Sequence, residues 1–483
     1  MVLLPLSAHA LSLEEAVEQA LRRHPDITLA RLAPLLDQAV RLQLEGMLDG
    51  RLGLTAAASD SRIRTVSPFA ARQITDIQFG YRYDQPLENG DRVGVGFAMV
   101  RDRQKFPASL PQAFQPSLNP LYQSQVDFSW RKRLLKGRGN PDYHEQLARN
   151  RASEEADRWR ISVVRHQLAG QVVAAFFQQR IDRIQVRLAR DARDRARKLL
   201  RYQRHREAFG LIEPADRLQS EALLATRTTE LAQAEAALAA SRVVLQRLLG
   251  SDRPPTRLVL VDGGAPSSPP PLAELERIAR RHRPEFRMLQ AQLAAADAAL
   301  ALARAEDRPQ LDLVAQVGTR AQEGRFERAF RSGLSLSHRF AQLSIEFSDE
   351  IGGHAAEGAV RRAELQREQV EAQIAQAARK VGDDLAAIRT RIASGRKLLH
   401  GHAMQVAAER RKFAAEMARY RAGRSDTATV IQFEGDLRRA ELQQALQREA
   451  LRLAEYQLKL ARGDWPVVAR FDEDRSGGRA AAE

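Results

Sequence analysis

The chain has 483 residues, a formal net charge of +15, 28% charged residues and no cysteine. Without a thiol it can form no disulfide, no thiol redox centre and no cysteine metal site. The sequence contains no run of about 18 apolar residues, so it predicts no transmembrane helix. The positive charge fits a solvated, Arg-rich helical surface, and the alternatives are binding to nucleic acid or attraction of anionic cargo and lipid head groups. The arginines are spread along all the predicted helices, which weighs against nucleic acid.

Residues 1–10 have the form of the end of a signal peptide. Ala8-His9-Ala10 is a small-x-small sequence of the kind that signal peptidase cleaves. The apolar stretch 1–6 is short for a signal core and has no basic residue before it. Either the start is truncated or the segment is not a signal, and we expect truncation. The segment 11–50 then begins the structure with a helix over 12–49.

The next segment, residues 51–130, is predicted to contain strands. Apolar residues alternate with polar or small ones over 75–83, 92–100 and 122–130. This period of two fits a strand of an outer-membrane barrel, and an ordinary soluble antiparallel sheet alternates identically. Asn89-Gly90 between the first two runs predicts a hairpin turn over 88–91.

Residues 131–249 predict a long helical hairpin that turns near Gly210. No proline interrupts the descending helix over 141–209. The return helix repeats apolar or small residues in a four-three alternation, which predicts a packing seam. The seam residues are Leu218, Ala222, Ala225, Thr229, Ala232, Ala236, Ala239 and Val243. Residues 250–271, rich in Pro and Gly, predict a linker.

The second half of the chain follows the same order. Residues 272–308 predict a helix, 309–348 predict strands, and 349–463 predict a second long hairpin that turns near Gly423. The tail, 464–483, is predicted to be disordered from Asp472 onward because of its composition.

Within the second set of strands, the alternation changes parity. We expect one strand over 311–317 and another through Leu334 and Phe340, with a bulge or turn near Ala341.

The two halves align as an internal repeat. Residues 22–59 match 281–318 without a gap at an offset of 259, and the sequence around Gly210 resembles that around Gly423 at an offset of 213. The first copy therefore carries 46 extra residues, which we interpret as an added hairpin with a Pro-rich outer loop. Whether this hairpin widens a barrel or projects from it stays open. The balanced lengths of the helices predict a closed cylinder.

This arrangement resembles the TolC-like outer-membrane efflux protein family. The markers, in order, are LSLEEAVEQALRRHPDI, FGLIEPADRL, RPEFRMLQAQLAAADAAL and RYRAGRSDTATVI. The resemblance implies a mainly α fold with β-barrel strands. A long antiparallel coiled-coil α-barrel tunnel would join a transmembrane β-barrel shared by a homotrimer, built from two internal repeats. It also implies that the strands lie in the outer membrane, that the helices cross the periplasm, and that 250–271 and 464–483 form an equatorial belt.

The resemblance further implies a passive exit duct of a tripartite efflux or type I secretion system. The helix tips would dock a periplasmic adaptor, which is bound to an inner-membrane RND or ABC transporter, and outer-membrane lipid would surround the barrel. The tip residues are Gly210, Leu211, Gly423, Arg424 and Ser425. No cofactor, metal or nucleic acid is expected.

A periplasmic gate near the tips is also implied. The family's aspartate six residues after each tip glycine matches Asp216 in the first copy, but the second copy has Thr429 there and Gln432 three residues later. These departures put the family's acidic entrance ring, and its cation preference, in doubt. Tyr420 fits a family position that bonds the first aspartate, so we expect a Tyr420–Asp216 hydrogen bond joined by Arg424. The alternative for Tyr420 is a packed helix residue.

An enzyme is not expected. The ten histidines show no metal-ligand spacing, and Gly352-Gly353-His354 fits a loop before a helix. Acidic residues on the helices are expected to be solvated partners of arginine. The main alternative function is a soluble basic coiled-coil scaffold or nucleic-acid-binding protein. It explains the heptads and the charge, but it does not explain alternating strands in both copies.

Overall fold

The computed structural model describes most of the chain. The described residues are 10–64, 67, 69–251, 257–260, 269–335 and 337–473. The predicted signal remnant lies outside them, apart from Ala10. The chain divides into two compact units, one of residues 1–33, 156–290 and 373–483 and the other of residues 34–155 and 291–372.

The described residues are mainly helical. The helices are α1 (Leu13–Arg23), α2 (Pro25–Glu45), α3 (Pro141–Ala208), α4 (Pro214–Leu248), α5 (Leu272–His282), α6 (Pro284–Glu306), α7 (Phe326–Leu334), α8 (His354–Arg421), α9 (Thr427–Arg462) and α10 (Pro466–Glu473). The strands are β1 (Ala10–Ser12), β2 (Arg51–Arg62), β3 (Gln73–Pro86), β4 (Arg92–Lys105), β5 (Leu121–Arg133), β6 (Arg257–Val259), β7 (Gln310–Glu323) and β8 (Arg339–Ser348). The two long helices α3 and α8 have 68 residues each.

Prolines split both shorter helical segments that the sequence predicts as single helices. The segment 11–50 holds α1 and α2, separated at His24, and 272–308 holds α5 and α6, separated at Arg283. His24 and Arg283 have extended backbones because each precedes a proline, which disfavours the helical conformation there. Each segment therefore contains two helices rather than one.

Six strands form one antiparallel sheet in the order β2-β3-β4-β5-β7-β8. The hairpin between β3 and β4 turns at the predicted Asn-Gly pair, where Gly90 has a φ of +88°. The N–H of Leu87 donates to the carbonyl of Asp91 at 2.9 Å and closes this turn. Glycine fits the position because other residues rarely adopt positive φ.

The connection between β7 and β8 differs from the prediction. It contains α7, where the sequence predicts a strand through Leu334 and Phe340. β8 also passes Ala341 in unbroken register with β7, so the predicted bulge is wrong. Helical spacing lets Ala329 and Gly333 face the sheet, where both are buried, and this packing outweighs the local period of two.

The sheet has one apolar face and one polar face, because residues directly opposed on neighbouring strands share a face. One apolar row crosses all six strands through Leu52, Tyr83, Val95, Phe128, Val317 and Ala341. The adjacent row on the other face is Arg51, Asp84, Gly94, Ser129, Gln316 and Gln342. Apart from Ala341, every large residue of the apolar row is more than two fifths exposed in the chain.

The largest core of the first unit surrounds the middle of α3. Its large buried side chains are Leu13, Val17, Leu21, Leu168, Val172, Phe176, Phe177, Leu245, Leu249 and Trp465. Each contributes about 1.5–3 kcal/mol by leaving water. Leu258 of β6, which pairs in parallel with β1, is buried here too. The predicted linker 250–271 therefore supplies a strand to this core.

The end of the described chain packs on α3. Asp472 accepts a hydrogen bond from Ser162, and its carboxylate lies 3.2 Å from Arg165 and 3.4 Å from His166. Burial by itself raises the pKa of Asp472, but these hydrogen bonds and charges outweigh it, so the pKa is lowered. The predicted disorder is therefore wrong for Asp472, and the prediction for 474–483 lies outside the described residues.

The predicted seam of α4 is exposed along its whole length in the single chain. The buried face of α4 instead includes Arg227, Leu231, Leu238 and Leu245. The second return helix has the same four-three alternation, which includes Leu437, Ala440, Leu451, Ala454 and Leu458, and in α9 these five residues are buried. Thus α9 has neighbours along its seam within the chain, whereas the alanine-rich seam of α4 faces outward.

Candidate functional site

The candidate site comprises the first tip, residues 209–213 between α3 and α4, and the second tip, residues 422–426 between α8 and α9. Gly210 and Gly423 end the long helices with φ values of +64° and +73°. The N–H of Leu211 reaches back to the carbonyl of Arg206 at 3.0 Å, and the N–H of Arg424 makes the same bond in the second tip. This hydrogen bond, between residues five positions apart, gives a partner to a carbonyl group that the end of a helix otherwise leaves without one.

The two tips present different chemistry. Phe209 and Leu211 in the first tip are 66% and 62% exposed. In the second tip Arg424 is exposed, and the hydroxyl of Ser425 donates to Glu416. The first tip is therefore apolar and the second polar, although both have the same backbone closure.

Tyr420 is only 2% exposed and packs against α3. The side-chain amide of Gln203 donates to the Tyr420 hydroxyl at 2.6 Å and to the Thr427 hydroxyl at 2.7 Å. The guanidinium of Arg206 lies 5.8 Å from the Tyr420 ring centre. The hydroxyl therefore bonds to Gln203 and Thr427, not to Asp216 as the sequence predicts.

The other predicted gate residues have separate surroundings. Thr429 serves the start of α9, where its N–H and hydroxyl donate to Asp426 at 2.7 and 2.9 Å. These two bonds, the backbone bond first, hold the pKa of Asp426 below its ordinary value. Gln432 is exposed, and Asp216 is half-buried in the first turn of α4. The described contacts do not join the four predicted gate residues into one cluster.

A buried ion-pair cluster beside the tips was not predicted. Glu434 of α9 is 5% exposed and bonds to Arg195 of α3 at 3.1 Å and to Arg227 of α4 at 2.9 Å. Arg227 and Arg438 both reach Glu230 at 3.0 Å. The expectation that helix acids are solvated is therefore wrong for Glu434, which joins three helices.

A second buried pair lies further along the same helices. Arg180 of α3 holds Glu449 of α9 through two hydrogen bonds, of 2.9 and 3.1 Å. The acids of α9 at Glu434, Glu441 and Glu449 recur at seven and eight residues, so they lie near one face. That spacing is the sequence signal that could have revealed the cluster; Gln203 has no such signal.

Two further findings limit the chemistry of the described residues. Among them, no group of three histidine, aspartate or glutamate side chains is placed to hold a metal ion. No helix in this part of the chain is both long and apolar enough to cross a membrane. The described residues of the site offer contact surfaces and bonds between helices.

Comparisons with known proteins agree with this fold. Residues 275–464 match the family model of the outer membrane efflux protein. The chain is 34% identical over 157 residues to protein CyaE of Bordetella pertussis, which covers 32% of each chain. It is similar in fold to the outer-membrane channel OprN, with a TM-score of 0.67 and 18% identity over 94% of this chain and 90% of that one. The CmeC outer membrane channel of Campylobacter jejuni has a TM-score of 0.67 and 12% identity over 95% and 88%.

These matches confirm the resemblance to outer-membrane efflux proteins. The chain has their mainly helical fold with a sheet over nearly its whole length, and residues 275–464 carry the family's sequence. The matched family and the solved neighbours are channel proteins, not enzymes. The aligned stretch of CyaE is about a third of that protein.

The Asp426 cap can be tested by substitution. Asp426→Ala removes the acceptor at the start of α9 and is expected to destabilise the second tip. Asp426→Asn, the matched control, keeps an acceptor oxygen. Because the pKa of Asp426 is lowered, its contribution is complete above the ordinary aspartate pKa and is lost as the pH falls through the lowered value. Amide exchange over 422–430 measures both effects, and equal protection in Asp426→Ala and wild type would contradict the cap.

The Glu434 cluster predicts a larger loss of stability. Glu434→Gln removes the buried carboxylate that Arg195 and Arg227 share, although Arg227 keeps Glu230, and is expected to cost up to about 3 kcal/mol. Glu235→Gln is the control, because the Glu235–Arg190 pair is half exposed and is worth less than about 1 kcal/mol. Denaturant unfolding in detergent measures the difference. Equal losses in the two variants would mean that burial adds nothing to the Glu434 pairs.

Proposed function

We propose that this protein is the outer-membrane exit duct of an efflux or secretion system, a passive conduit with most of its chain in the periplasm. The single observation that carries the proposal is the sheet, whose apolar face is exposed and whose opposite face is polar. A sheet with these faces suits a barrel wall between lipid and water. The long helices α3 and α8, about 100 Å each at the usual rise, suit a tunnel wall.

The proposed partners follow from the two tips. A periplasmic adaptor would dock at Gly210, Leu211, Gly423, Arg424 and Ser425, and an inner-membrane RND or ABC transporter would supply the energy. The exposed pair Phe209 and Leu211 supports docking, because adjacent exposed apolar side chains mark interaction surfaces. Lipid of the outer membrane would cover the apolar face of the sheet.

The proposed assembly is a homotrimer built on two internal repeats. The exposed seam of α4 supports it, since a regular four-three seam of small residues is suited to a neighbouring helix. Within the described strands, β2 and β8 each have a neighbour on one side only, so both edges of the sheet are free for another copy. The basic scaffold alternative gives no role to either feature.

The gate we propose uses Tyr420, though not with the predicted partner. The bonds from Gln203 to Tyr420 and Thr427 join α3, α8 and α9 close to the entrance. Separating these helices would break them. The acidic position Asp216 is proposed to line the entrance once per copy, with the neutral Thr429 and Gln432 beside it.

Assembly can be tested on the outer membrane extracted in detergent. Expressed with a full signal peptide, the wild-type chain is expected there as a trimer by native mass. Ala232→Arg places a long charged side chain on the exposed seam of α4 and is expected to abolish the trimer. Gln233→Arg, one residue off the seam and also exposed, is the control and should assemble. A soluble wild-type monomer or dimer would overturn the proposed function.

The gate predicts a change in conductance. Tyr420→Phe removes a hydroxyl whose bonds are worth about 1 kcal/mol in each copy, so the open arrangement should become about fivefold more populated in each copy. Planar-bilayer recording of single channels measures this. Tyr202→Phe is the control, because the Tyr202 ring packs against Tyr420 at 5.8 Å within the same apolar cluster. If Tyr420→Phe conducts like wild type, this gate is wrong.

A further inference from the structure

The two halves of the chain contribute unequally to the sheet. By the repeat offsets, β2 corresponds to β7 and β5 corresponds to β8, so β3 and β4 are the added hairpin of the first copy. In the sheet order, this hairpin lies between β2 and β5. β3 pairs with β2 over the whole of β2, and β4 pairs with β5 from Arg92 to Asp102. The hairpin is therefore a part of the wall.

Side chains on the polar face tie the hairpin to β5. Arg82 on β3 reaches across β4 and donates to the Ser129 hydroxyl at 3.0 Å, and its guanidinium lies 3.6 Å from Asp127. The Arg82 side chain can cross β4 because β4 has glycine at positions 94 and 96, where no side chain blocks its path. A Cβ at Gly94 would lie 2.8 Å from the Ser129 hydroxyl, and one at Gly96 would lie 3.2 Å from the Asp127 carboxylate.

The apolar face ties the hairpin to the second copy. Tyr81 on β3 stacks on Phe97 of β4 at 5.6 Å, and Phe330 of α7 meets Phe97 edge-on at 5.9 Å. The hydroxyl of Ser124 on β5 donates to the carbonyl of Ala329 in α7 at 2.5 Å. Helix α7, which lies between β7 and β8, thus packs on both the added hairpin and an original strand.

The turn of the hairpin is anchored at the start of α3. The N–H of Gly139 donates to the carbonyl of Asn89 at 3.2 Å, and His144 lies 3.2 Å from the carbonyl of Glu88. Gly90 comes so near this segment that a Cβ there would be 2.5 Å from the carbonyl oxygen of Gly137. The turn therefore lies at the helical end of the sheet and does not project from its outer end.

We infer that the pore wall takes six strands from each copy of the chain, so that the trimer forms an eighteen-stranded barrel. The inference rests on the proposed function. β2 and β8 run in opposite directions, so the β8 edge of one copy can continue the antiparallel sheet of the next at β2. Both edges keep the alternation, with Leu54 on β2 and Ile345 on β8 exposed on the apolar face.

The added hairpins would make the barrel wide. Barrel diameter grows roughly linearly with strand number, so eighteen strands give about 1.5 times the diameter of the twelve strands that remain without them. Each added hairpin begins and ends at the same end of the sheet, so its insertion adds two strands to the barrel and no helix to the tunnel. The outer pore would widen without a wider tunnel, and the size limit for cargo would lie at the tips.

Cross-linking in intact outer membranes tests whether the hairpin is in the wall. The chain has no cysteine, so pairs can be introduced cleanly. Ala57→Cys with Gln78→Cys joins β2 to β3, and Val100→Cys with Gln123→Cys joins β4 to β5. With a short bis-thiol reagent, both pairs should cross-link as fully as the β5–β7 control, Ser129→Cys with Gln316→Cys.

The decisive pair is Ala57→Cys with Ser129→Cys. If the hairpin were extruded and β2 paired with β5 as β7 pairs with β8, these two residues would be opposed and would cross-link. We expect only background yield, together with a trimer by native mass. Cross-linking of this pair in a trimer would overturn the wide barrel and leave the proposed duct intact. A wild-type complex that is not a trimer, or not in the outer membrane, would overturn both.

Discussion

The two-faced sheet is the constraint on which the other features of this protein depend. A period of two, kept in register over six strands, places aromatic and aliphatic residues on one side and charged and amide groups on the other. At about 25 cal/mol for each Å² of apolar surface, that face costs too much to leave in water. Monomeric soluble proteins rarely expose a contiguous apolar face that runs across a whole sheet. The proposed outer-membrane lipid would cover this face, and further copies of the chain, as proposed, would cover its free edges.

The long helices meet a different constraint, since they must hold one arrangement relative to one another. Away from the core around the middle of α3, many of the packing residues are alanine or other small residues, and charged pairs add specificity there. Glu434 is held by arginines from two helices, and Glu449 is held bidentately by Arg180. Burying such pairs adds little net stability, but an arginine without its carboxylate is expensive. The pairs therefore penalise any register in which the helices have slid or rotated.

The features that could be predicted correctly from the sequence depend on local signals. Gly210, Gly423 and Asn89-Gly90 act within a few residues, and all three lie in turns. The breaks before Pro25 and Pro284 follow an equally local rule and could have been predicted. The partner of Tyr420 could not, because one residue turns a helix face by about 100° and the contact depends on how α3 and α8 are rotated. Helix α7 was missed because its packing on the sheet outweighs a short alternation.

In the proposed duct, the position of the insertion would let one part change while another stays fixed. A hairpin adds its two strands between existing neighbours, and its turn returns to the helical end at Asn89 and Gly139. The turn of the added hairpin therefore lies beside the start of α3. A helix inserted in the tunnel would have to satisfy ion pairs such as those of Glu434 on both sides. An added strand needs only to continue the hydrogen-bond ladder and the alternation of apolar and polar residues. The sheet can therefore take an inserted element more easily than the helices can.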